Sequence, residues 1–522
     1  MRQPGGLSSM SEQSPETRRE AGILLHPTSL PGPHGIGDLG GAARAFIDWL
    51  ASSGLSLWQV LPLGPTDNDA PYMSWSALAG NPMLVDLVAL RDAGLLDDGD
   101  LDAPRELGEG PHVDYRAARA FKEPRLLKAA KRLLETPEHP LSGAYRALRD
   151  KEAWLFDAAL FSVLKRQHGG VAWWDWPVPL RDREPSALEG AKKELADAIE
   201  AEAVTLFFFE HQWAELRRYC NDRGVRVVGD IPIYVDRNSA DVWTHRDLFF
   251  LDEKGLPTGV AGVPPDYFSK LGQLWGNPLY RWERMAKDDF AWWRTRLGRC
   301  LTHADIVRID HFRGLASYWE VPFGAPDARG GRWVKGPGIA FFQAIEKHEG
   351  RLPLIAEDLG MIDEPVVALR QEAKLPGMRV LQFAFGGGGD NTHLPHHHTE
   401  DSVVYPGTHD NDTTVGWWRS AEPHVRTHTQ RYLSVSGDQI HWDLIRASFA
   451  SVGRIAVVAM QDVLGLGAEA RMNTPAEADG NWRFRLTGDP FRREHAGRLH
   501  EIGALYDRIP SLREAKREAK ED

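Results

Sequence analysis

Short apolar runs alternate with helical stretches along most of this chain, and that alternation admits few architectures. The runs are LWQVLPL, NPMLVDL (Asn81–Leu87), VRVVGDIPIYV, IVRIDHF, LPLIAEDLG, MRVLQFAF, SVVYPGTHD and IAVVAMQDVLG, about eight in all. Parallel strands joined by helices in that number close on themselves, so the expected fold is α/β, a (β/α)8 TIM barrel with inserted, largely helical subdomains. The competing architecture is an open doubly wound sheet, but no run is followed by a GxGxxG phosphate turn.

With 522 residues the chain exceeds a simple barrel, so insertions are expected. Residues 1–20 are polar and turn-rich and read as a disordered lead-in, leaving 21–522 for the barrel. Between about 91 and 200 the composition turns to charged, Leu/Ala/Arg-rich helical segments, which read as a helical insertion. A stiff loop at about 257–269, containing GVPPDYFS, reads as a lid, and the charged tail SLREAKREAKED as a solvated helix. The net charge of −12 argues against nucleic acid and anionic membranes as partners. Two cysteines, Cys220 and Cys300, are too few for a disulfide framework and point to a reducing, cytoplasmic setting.

Three of the runs close on acids: Asp310 in VRIDHFRG, Glu357 in LIAEDLG and Asp410 in YPGTHDND. Strand ends are where a parallel barrel places its reacting groups, and a carboxylate there does nothing for packing. Glycosidic-bond cleavage needs such a set: a nucleophile, a proton donor and negative charge facing a sugar cation. Arg308, two residues before Asp310, points to the same face of a strand and is suited to keep that carboxylate ionised; a structural ion pair is the alternative. Glu357 and its neighbour Asp358 are expected to divide into one working and one supporting carboxylate, with helix capping as the alternative for Asp358. Asp410 lies in a turn-forming string with His409 and Asp412, so turn chemistry alone would also explain it. Asp230, in VVGDIPIYV, closes another strand and is a candidate for substrate binding or support.

A catalytic metal is not expected. His26, His311 and His409 flank acids, but no HxH or HExxH pair lies on a predicted element, and His396, His397 and His398 read as a solvated loop cluster. Nineteen tryptophans, among them Trp75, Trp173, Trp174, Trp275 and Trp417 in turn-like surroundings, suit stacking on pyranose rings, although core packing claims most tryptophans.

Together the motifs HPTSLPGPHGIGDLG, WQVLPLGP, SALAGNP, GDIPIYV, GVPPDYFS, QLWGNPLY, VRIDHFRG, AEDLG, GTHDND, MQDVLGLGAEARMNTP and GNWRFR resemble those of the amylomaltases, 4-α-glucanotransferases related to α-amylase. The resemblance runs through nearly all of the chain after the polar lead-in. It implies no metal or organic cofactor and a retaining transfer of α-1,4-glucan segments among maltooligosaccharides, with glucose as an acceptor. By the same resemblance Asp310 is the nucleophile, Glu357 the general acid/base and Asp410 the transition-state stabiliser. Arg308, His409, Asp230 and Asp358 are placed with the substrate-binding groups, and Tyr72, Tyr267, Phe268 and Trp275 around the glucan groove. Departures from the family pattern fall at Asp67-Asn68-Asp69, His396-His397-His398 and Ala476-Glu477, none of them among the three acids. Two rivals remain, a glucan hydrolase on the same barrel and a glucan-binding protein without catalysis.

Overall fold

The computed structural model describes residues 19–265, 269–477 and 479–510. Twelve strands occur among them: β1 (Glu20–Leu24), β2 (Leu57–Gln59), β3 (Arg226–Pro232), β4 (Gly259–Val263), β5 (Gln273–Pro278), β6 (Ile306–Asp310), β7 (Ser317–Pro322), β8 (Arg332–Lys335), β9 (Leu354–Ala356), β10 (Gly377–Val380), β11 (Ser402–Tyr405) and β12 (Ile455–Ala459).

Eight of these pair in the order β10-β11-β12-β1-β2-β3-β6-β9, every ladder parallel. This is the expected barrel, nearly closed. Its strands are buried along almost their whole length, as parallel strands covered by helices must be. At the remaining seam, β9 and β10 share no ladder, and the Ala356 N–H donates to the Pro376 carbonyl at 2.9 Å.

One expected strand is replaced by another. Asn81–Leu87 forms no strand: Pro82 has no N–H for a ladder, and the Asn81 and Asp86 side chains accept the Met83 and Val88 N–H groups, starting a 3-10 turn at Pro82–Leu84 and a helix at Leu87–Asp92. The eighth strand is β1, which begins inside the expected lead-in. Glu20 is 3% exposed because its carboxylate pairs with Arg226 of β3 and accepts from Ser56 Oγ, so a charge that reads as solvated in sequence is buried and paired.

Helices fill the connection from β2 to β3, the longest being Tyr115–Glu135, Trp154–Gln167 and Ala196–Asn221. The last buries Phe207, Phe208, Phe209 and Trp213 and packs on the other two. The connections after β3 and β6 supply a feature the sequence reading lacks, an antiparallel sheet in the order β5-β4-β7-β8. Its strands are short and broken by Gly and Pro, which hides them from pattern reading. Residues 259–263 of the expected lid are therefore strand β4. Tyr267 and Phe268 lie outside the described residues, as does the tail at 511–522.

Candidate active site

The β3–β6 register sets Asp230 beside Arg308 and Pro232 beside Asp310, so the Arg308 side chain stands between two carboxylates. Its Nη1 donates to both oxygens of Asp230 at 2.8 Å, and its Nη2 pairs with Asp310 Oδ1 at 2.9 Å. Burial opposes the charge on Arg308, but the Asp230 and Asp310 carboxylates outweigh it and hold the guanidinium pKa above its ordinary value. Tyr72 donates to Asp230 Oδ2 at 2.6 Å and stands 2.9 Å from His409 Nε2. Burial raises the Tyr72 phenol well above its usual pKa, with Asp230 adding to the effect, so it is a neutral donor.

Glu357 follows β9 directly, and its N–H donates to the Ile309 carbonyl of β6 at 3.1 Å. Its carboxylate has peptide donors as partners: the His311 N–H at 2.6 Å on Oε2 and the Leu359 N–H at 3.0 Å on Oε1. His311 adopts φ 51°, a left-handed conformation rare for a residue with a side chain, and this turns its N–H from β6 toward Glu357. Burial raises Glu357 to about 7, against the opposing pull of Arg308. Burial and the facing acids also push Asp310 upward, while Arg308 pulls it down. The net direction for Asp310 is upward, as for Glu357, but of the two Asp310 has the guanidinium in direct contact and 26% of its side-chain surface open to water, both of which favour its charged form.

Asp410 is more open than Asp310, with its side chain 42% exposed. Asn473 Nδ2 donates to its Oδ1 at 2.6 Å, Arg471 Nη2 to its carbonyl at 2.8 Å, and His409 Nε2 lies 3.5 Å from its Oδ2. The turn reading of this string also holds, since Asn411 Oδ1 accepts from the Thr408 N–H and hydroxyl and fixes the loop that presents the acid. Burial lowers the His409 pKa despite Asp410, leaving a neutral imidazole between Tyr72 and Asp410.

The barrel mouth thus gathers Asp310, Glu357, Asp410, Arg308, Asp230, His409 and Tyr72. Trp275, on β5, reaches its edge and packs T-shaped on His311 with ring centroids 4.7 Å apart. Asp358 departs from its expected place: it is 7% exposed and turned away from the cluster, accepting the Met378 N–H at 2.6 Å and pairing with Arg370 at 3.2 Å. On an extended segment neighbouring side chains point to opposite faces, so Glu357 and Asp358 cannot both face the mouth. Nor does Asp358 cap a helix. Trp75 and Trp173 are core residues, and Trp417 packs on Phe385.

Sequence reasoning passed over Asn473 and Trp482 as individual site residues. Asn473 secures Asp410, and Trp482, at φ 65°, packs against Tyr72 and His409 with centroids 5.5 and 5.9 Å apart. Their segments, MNTP and GNWRFR, carry no charge pattern to mark an Asn or a Trp as near an acid far earlier in the chain; Asn473 and Asp410 are 63 residues apart. Among the described residues, no three His, Cys, Asp or Glu side chains gather as a metal-ligand set.

Residues 25–490 match the profile of a family described as 4-alpha-glucanotransferase. The chain is 47% identical over 504 residues to a 4-alpha-glucanotransferase of Thermus thermophilus, covering 95% of this chain and 100% of the relative. It is 46% identical over 502 residues to a chloroplastic/amyloplastic 4-alpha-glucanotransferase of Arabidopsis thaliana, covering 95% and 87%. Among solved structures it superposes on the amylomaltase of Streptococcus agalactiae, determined with acarbose, at a TM-score of 0.91, with 37% identity over 94% of this chain and all of that one.

Proposed function

The chain belongs to the 4-alpha-glucanotransferase family, and from that premise we propose how its own side chains divide the chemistry of transfer. Asp310 attacks the anomeric carbon of a bound α-1,4-glucan while Glu357 gives its proton to the departing glycosidic oxygen. The glucosyl unit is then held on Asp310 Oδ. In the second step Glu357, now ionised, takes the proton from a hydroxyl of an acceptor glucan or glucose, and that oxygen displaces Asp310 with net retention. Asp410 faces the positive charge that develops on the sugar in both steps. Asp230, Tyr72 and His409 hold ring hydroxyls through the chain of hydrogen bonds that begins at Arg308. Acarbose, the ligand of the Streptococcus agalactiae neighbour, is proposed to occupy the same mouth.

The observation that carries the reading is the unequal pairing of the two central acids, Asp310 on a guanidinium and Glu357 on peptide N–H groups. A pure binding protein gains nothing from a buried carboxylate held near a pKa of 7. We place the reaction in the cytoplasm, where the free thiols Cys220 and Cys300 stay reduced. Transfer and hydrolysis differ in the acceptor. Incubation with maltotriose should yield glucose together with longer maltooligosaccharides and little change in total reducing ends; reducing ends that climb in step with substrate loss would mark a hydrolase.

A further inference from the structure

The barrel has one seam, between β9 and β10, and Glu357 stands at its upper end. Elsewhere each strand is fixed to its neighbours by a ladder, but here the Ala356 N–H to Pro376 carbonyl bond is reinforced by a side chain. Asp358 Oδ1 accepts the Met378 N–H of β10 at 2.6 Å, and Asp358 Oδ2 lies 3.6 Å from Arg379 of β10 and 3.2 Å from Arg370 on the helix Glu364–Glu372 that joins the two strands. The carboxylate does the work that a strand-to-strand bond does at the other joints. It also needs Gly377: a Cβ at that position would stand 2.5 Å from Asp358 Oδ2 and 2.7 Å from Oδ1, so any other residue forces the carboxylate out.

The residue on one side of this clasp is Glu357, whose N–H is bonded to Ile309 of β6. Glu357 is therefore held from β6 through its own N–H, and its neighbour Asp358 is held from β10 through its carboxylate. Among the described residues, the hydrogen bonds of Glu357 itself go to Ile309, His311 and Leu359, none of them on β10.

We propose that Asp358, seated on Gly377, is a positioning residue for the general acid/base, fixing Glu357 by clasping the open seam of the barrel. This inference rests on the reading of Glu357 as proton donor. Loosening the clasp moves the donor relative to the glycosidic oxygen and leaves Asp310, set by the β3–β6 ladder, in place. Displacement of a reacting group by about 1 Å costs on the order of a hundredfold in rate. The loss should fall on leaving groups that need a proton and spare one that does not.

The experiment compares maltotriose with α-glucosyl fluoride, whose fluoride leaves without protonation, in Asp358→Ala, Gly377→Ala, Asp358→Asn and Glu357→Gln enzymes. For Asp358→Ala and Gly377→Ala, kcat on maltotriose should fall about ten- to a hundredfold, while first-turnover fluoride release stays within about threefold of the parent. Asp358→Asn keeps an oxygen for the Met378 N–H and should recover most of the loss. Should Asp358→Ala fail to fold, Gly377→Ala, which removes no hydrogen-bonding group, supplies the comparison. Equal losses on both donors, or no loss on either, would overturn the positioning role. Glu357→Gln separates the two claims: if it also loses both donors equally, the proton-donor reading itself fails, and if it splits them while the Asp358 and Gly377 variants do not, only the clasp fails.

Discussion

On the β3–β6 side of the mouth, Asp230 and Asp310 share one guanidinium across a continuous ladder, whereas on the β9–β10 side Glu357 rests on peptide N–H groups above strands that share none. The first arrangement stabilises the charged form of a carboxylate. The second leaves burial to dominate and favours the protonated form. Two buried carboxylates, each at the end of a barrel strand, are thereby distinguished by what faces them: a guanidinium that pulls Asp310 down against its burial, and peptide N–H groups at Glu357. The proposed nucleophile thus stands at the laddered joint, and the proposed proton donor at the joint without a ladder.

The largest expected effect lies on the laddered side. Asp310→Asn removes the attacking oxygen, and transfer from maltotriose should fall by at least about four orders of magnitude, with fluoride release from α-glucosyl fluoride lost as well. Activity that persists above that level on the activated donor would mean that another carboxylate attacks.

Arg308→Lys should come next. The ammonium keeps the charge but cannot reach Asp230 and Asp310 together as the planar fork does, so kcat should drop about a hundredfold and the thermal midpoint should fall. An unchanged rate would show that Asp310 does not depend on this pairing. Asn473→Ala removes the 2.6 Å bond to the exposed Asp410, and a decrease of about tenfold in kcat, with the fold intact, is expected.

The smallest effect is one of pH. A carboxyl group raised from 4.5 to about 7 in the folded protein binds a proton that the unfolded chain gives up, so its contribution to stability is present below about 4.5 and is lost as the pH rises through 7. Glu357→Gln should therefore melt above the parent at pH 8, with the difference closing toward pH 5. A Gln enzyme that melts lower at pH 8 would show that the ionised carboxylate is well accommodated. By the same titration, kcat/KM for maltotriose in the parent should decline above a pH of about 7.

The legibility of these regions in the sequence follows from the range of the interactions. Asp310 and Arg308 announce themselves because their pairing is local, two positions apart on one strand, and the apolar run IVRID marks the strand. Glu357 is legible as an acid at a strand end, yet the opposed direction of Asp358 is set by its partners Met378, Arg370 and Arg379, which the chain brings up only through the β9–β10 seam. Asn473 is held to Asp410 across a wider gap of 63 residues. Strand β1 was hidden by Glu20, whose burial depends on Arg226, 206 residues away. The antiparallel sheet was hidden by its own brevity, four strands of four to six residues each.

The division of labour between Asp310 and Glu357 is tested most directly by the mass of the intact Glu357→Gln enzyme after exposure to α-glucosyl fluoride. Without its proton donor and base, the enzyme should still expel fluoride and then stall, so a single glucosyl adduct should accumulate and map by peptide analysis to Asp310. An adduct on Asp410, Asp230 or any other carboxylate, or a folded enzyme that turns over maltotriose as the parent does, would contradict the account.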